Sequence, residues 1–62
     1  MSTPNPTPLL SEAIVASCAY NEAAAHLRLV AARLDDCELA DSLEDTATRL
    51  EALALATLAT AR

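Results

Sequence analysis

The chain has no glycine, lysine, tryptophan or phenylalanine, and its aromatic content is reduced to Tyr20. Its 53% hydrophobic content is therefore almost entirely alanine and leucine, a composition that forms helices. Without lysine, four arginines stand against nine carboxylates and the net charge is −5. Such a surface repels phosphate backbones and anionic membranes, which argues against nucleic acid and lipid headgroups as partners. Arginine used without lysine, beside so much alanine, is what a GC-rich coding sequence gives and points to a bacterial or phage source. Long apolar runs are also missing: Ala52 to Ala61 is half of the roughly 20 residues a bilayer span requires.

Cysteine occurs only as Cys18, in the middle of one expected helix, and Cys37, at the start of the next. In a hairpin these lie on the order of 25 Å apart, too far for a disulfide, and read as reduced thiols. Val15-Ala16-Ser17-Cys18 imitates a lipoprotein cleavage site, but no basic residue precedes it and Glu12 interrupts the apolar core an export signal needs. A cytoplasmic location is expected. There is no phosphate loop, and no nucleophile, base and orienting group converge, so neither an enzyme nor a cofactor is expected.

A chain of 62 residues makes one small domain, which buries only roughly 60% of the surface its unfolded form exposes. Metal, disulfides or association usually supplements so small a core, and the composition favours association. Proline is confined to residues 4, 6 and 8, so residues 1–7 read as a disordered arm before a domain at 8–62. Thr7-Pro8 offers a cap hydroxyl followed by proline at the first helical position.

Heptad phase divides the domain into two helices, about 8–34 and about 36–61. In the first, Leu10, Ser17, Ala24 and Ala31 form one seven-residue row and Ala13, Tyr20, Leu27 and Leu34 the row beside it. Extending that frame would place Glu38, Asp41, Asp45 and Thr48 in the core. In the second half the apolar rows are instead Ala40, Ala47, Ala54, Ala61 and Leu43, Leu50, Thr57, a jump of two residues in phase. Asp35 as a cap would put Glu38 at the third helical position of a capping box and make Leu34 and Leu39 a hydrophobic staple. Arg33 suits the negative end of the first helix, and a left-handed turn residue is expected among Asp35, Asp36 and Cys37.

The fold class is thus all-α, an antiparallel two-helix hairpin. Its seam consists of Leu10, Ala13, Ser17, Tyr20, Ala24, Leu27, Ala31 and Leu34 against Ala40, Leu43, Ala47, Leu50 and Ala54. Small residues in one row and leucines in the next allow helices to approach more closely than the usual 8–10 Å. More apolar surface remains than one hairpin buries: Ile14, Val15, Leu29, Val30, Leu39, Leu53, Leu55 and Leu58, with Ala16 and Ala23. A homodimeric four-helix bundle is the simplest way to cover it, and helices of a different protein are the second.

Ser42 to Leu50, with Leu55-Ala56 and the earlier Leu27, Ala31, Leu34 and Asp35, resembles the Rop (repressor of primer) proteins of colicin-type plasmids, which are dimers of a helical hairpin of almost this length. The resemblance implies the architecture. Rop proteins bind paired RNA loops through a first-helix face rich in lysine, polar groups and a phenylalanine, whereas here that helix offers Asn21, Glu22, His26, Arg28 and Arg33. The activity is not matched.

Cys18, Glu22 and His26 follow one another at four-residue spacing and form a possible ligand row across a symmetric dimer. Di-iron bundles use Glu-x-x-His, however, and this is Glu-x-x-x-His without a second histidine, so a solvated Glu–His pair beside a half-buried thiol is expected and no metal. The acidic residues around the turn read as a solvated helix start. The function expected is that of a small non-enzymatic protein that self-associates and binds protein, as a regulator, adaptor or secretion-type chaperone partner. A Rop-like RNA-binding regulator and a metal-binding bundle are the alternatives.

Overall fold

The computed structural model describes residues 9–61 and is an antiparallel helical hairpin, α1 (Leu10–Arg33) and α2 (Cys37–Ala59). The arm at residues 1–7 and the Thr7-Pro8 cap lie outside the described residues. No proline or glycine interrupts either helix, and at about 1.5 Å per residue each is roughly 35 Å long.

Each helix is shorter at both ends than the expected ranges, about 8–34 and about 36–61, and the caps bear on why. Leu9 is the cap residue of α1, with φ −65° and ψ 153°. Its side chain has no acceptor, so only half of a capping box forms: Glu12 Oε1 accepts the Leu9 N–H at 3.2 Å. At the other end Leu34 leaves the helix at φ −85° and ψ 138°, its N–H donating to the Ala31 carbonyl at 3.3 Å.

Asp36, not Asp35, caps α2, and its carboxylate accepts the Leu39 N–H at 3.1 Å. Glu38 therefore occupies the second helical position and cannot close a capping box. The staple positions likewise fall on Asp35 and Ala40 instead of Leu34 and Leu39. The two adjacent aspartates carry the same cap chemistry, and a cap at Asp36 leaves Leu34, Asp35 and Asp36 to carry the reversal between Arg33 and Cys37. No described residue has positive φ, so the expected left-handed turn residue does not exist. Extended conformations at Leu34 and Asp36 reverse the chain, which is how the turn dispenses with glycine. At its far end α2 stops at Ala59. Thr60 then donates its hydroxyl to the Ala56 carbonyl at 3.1 Å, a local bond that competes with continuing the helix.

The interior is built from small side chains. Ala13, Ala24 and Ala47 are fully buried, and Ala31, Ala54 and Ser17 nearly so. An alanine loses all its exposure only when the opposite helix lies directly on its Cβ, so the small rows mark where α1 and α2 touch. Tyr20, Leu27, Leu34, Ala40, Leu43, Leu50 and Thr57 border that line and are half-buried. Leu10 departs from its row and is 51% exposed, because it sits at the open end of the hairpin where α2 has already ended.

Candidate functional site

Seam geometry gives the hairpin two unlike flanks. One consists of residues that follow the larger seam row: Ile14, Asn21 and Arg28 on α1, with Glu44, Glu51 and Leu58 on α2. Here Arg28 forms an ion pair with Glu51 and donates to Thr48 Oγ1 at 3.4 Å, which joins the helices across the seam. Both partners remain partly exposed, so the pair is worth at most about 1 kcal/mol. Sequence patterning missed this contact, although opposite charges one residue after Leu27 and Leu50 were its signal.

The other flank consists of residues that precede the small seam row: Ala16, Ala23 and Val30 on α1, with Leu39, Thr46, Leu53 and Thr60 on α2. It carries no charge. Its only polar side chains are threonines, and both hydroxyls are spent on their own helix, Thr46 on the Ser42 carbonyl at 3.0 Å and Thr60 on Ala56. Such back-bonding leaves neither hydroxyl proton in need of an outside acceptor. Val30, Leu39 and Leu53 are each about half exposed.

All eight residues of the expected partner surface are exposed, from Leu58 at 38% to Val15 and Leu55 at 71%. They do not form one stripe. Val30, Leu39 and Leu53 lie on the charge-free flank, Ile14 and Leu58 on the charged one, and Val15, Leu29 and Leu55 further round. Leu9, and Leu10, which patterning assigned to the seam, add exposed apolar surface at the open end. No large side chain among the described residues is fully buried. Scattered surface leucines are ordinary in folded proteins, but a hairpin that encloses only alanine and serine is not.

The remaining candidates do not assemble. Cys18, Glu22 and His26 are all exposed, and Cys18 is not the half-buried thiol expected, since it stands one residue past Ser17 on the outward side of α1. From Cys18 to His26 the helix rises about 12 Å, too far for one ion. No group of three potential metal ligands comes together among the described residues. Cys37 is likewise a free, exposed thiol. An open depression on α1 is lined by Ser11, Glu12, Val15, Ala16 and Ala19, without converging polar groups. Among the described residues no helix is long and apolar enough to cross a membrane.

Comparison with protein-family models, with curated proteins and with solved structures found no match to this chain.

Proposed function

We propose that this hairpin is a non-enzymatic, cytoplasmic protein of bacterial type that self-associates and works by binding protein through its exposed apolar side chains. The observation that carries this reading is the inversion of size: alanines are buried between the helices while ten large apolar residues face outward. Burial of apolar surface is worth about 25 cal/mol per Å², so leucine and valine faces gain most from a second protein surface. Light scattering on the purified chain tests it, with a stable multimer expected; a monomer that also binds no protein would refute it.

In this reading RNA is not the partner. Arg28 is engaged with Glu51, which removes one of the few cations that α1 has for a phosphate backbone. RNA binding that weakens steeply with added salt would overturn that exclusion, and no mobility shift at low salt is expected.

A further inference from the structure

We infer that a second copy of this chain docks on the charge-free flank, leaving the Arg28–Glu51 flank in solvent. The inference rests on the self-association proposed above and names the face that carries it.

Three observations select this face and this occupant. First, nothing on it needs water, because the flank has no ionisable group and Thr46 and Thr60 satisfy their hydroxyls internally. Partners that bury a threonine so bonded leave no hydroxyl unsatisfied. Second, the face is where an acidic protein repels itself least. Of the nine carboxylates only Glu12 stands in the flank rows or the helix rows bordering them, and Arg33 and Arg49 stand there too. A charge-free centre with a mixed-charge rim is the common anatomy of a protein interface. The opposite flank would set Glu44 of one copy against that of another and would bury the Arg28–Glu51 ion pair, at the cost of its desolvation.

Third, size fits. Two helices roughly 35 Å long present a face roughly 20 Å wide, or roughly 700 Å² per copy. Doubling this gives roughly 1,400 Å², within the range of stable, specific interfaces. Ala16 and Ala23 supply shallow positions, and Leu39 and Leu53 supply projections for them.

The test is sedimentation equilibrium on the full chain and two variants, each with helicity followed by circular dichroism. Thr46→Lys places a charge in the proposed interface and is expected to raise the dissociation constant roughly a hundredfold. Asn21→Lys places the same charge on the other flank and is expected to leave it within about threefold. The inference is overturned if Asn21→Lys dissociates the assembly while Thr46→Lys does not, or if neither does. A monomeric wild-type chain would instead remove the self-association on which it rests. Should Thr46→Lys fail to fold, a soluble paramagnetic probe on the wild-type chain decides: Val30 and Leu53 methyls are expected to be shielded and Ile14 and Leu58 methyls broadened. The reverse pattern contradicts the inference.

Discussion

The carboxylate of Asp36 accepts the Leu39 N–H, while that of Asp35, one residue earlier, caps nothing. Asp36→Ala is therefore expected to destabilise the protein by about 1 kcal/mol, and Asp35→Ala by much less. Thermal melts followed by circular dichroism at one protein concentration would show this order, and a larger loss for Asp35→Ala would contradict the cap assignment. Ala47 is the complementary case, since its Cβ is fully covered by the facing helix. Ala47→Leu forces a further isopropyl group into that contact and is expected to cost about 1–3 kcal/mol through overpacking. Urea titration measures it, and wild-type stability would mean that the helices do not meet at that residue.

At the level of elements, α1 and α2 are joined by a row of small residues and the partly exposed Arg28–Glu51 ion pair, and reversed by a turn without left-handed residues. Asp35→Gly should therefore lower stability by about 0.5–1 kcal/mol, because the added freedom of the unfolded chain is not offset by any relieved strain. A gain in stability would place a strained residue in the turn. A double-mutant cycle on Arg28 and Glu51 is expected to give less than about 1 kcal/mol, decreasing with salt. Both helices were legible from the seven-residue rows, and the hairpin from their phase jump between Leu34 and Ala40. The choice of Asp36 over Asp35 was not, since adjacent aspartates have equal cap chemistry and the backbone path decides between them. Nor did patterning find the ends of the helices: Leu34 continues its row past Arg33, where α1 stops, and Ala61 continues its row past Ala59, where α2 stops. For the candidate surface, exposure of the flanking leucines was legible. The separation into a charged and a charge-free side needed the Arg28–Glu51 contact to show which rows share a flank.

As a whole molecule the hairpin encloses alanines and displays leucines, so its stability and its association are expected to be one property. Ligand-like stabilisation by a second copy makes melting temperature rise with protein concentration, whereas an independently stable hairpin melts at one temperature throughout. The most direct measurement is sedimentation equilibrium of the full chain over a dilution series, with helicity recorded on the same samples. Self-association predicts a mass of about 13 kDa, twice the 6.5 kDa of the chain, with helicity lost as the assembly dissociates. A fully helical species of 6.5 kDa throughout the series would contradict it.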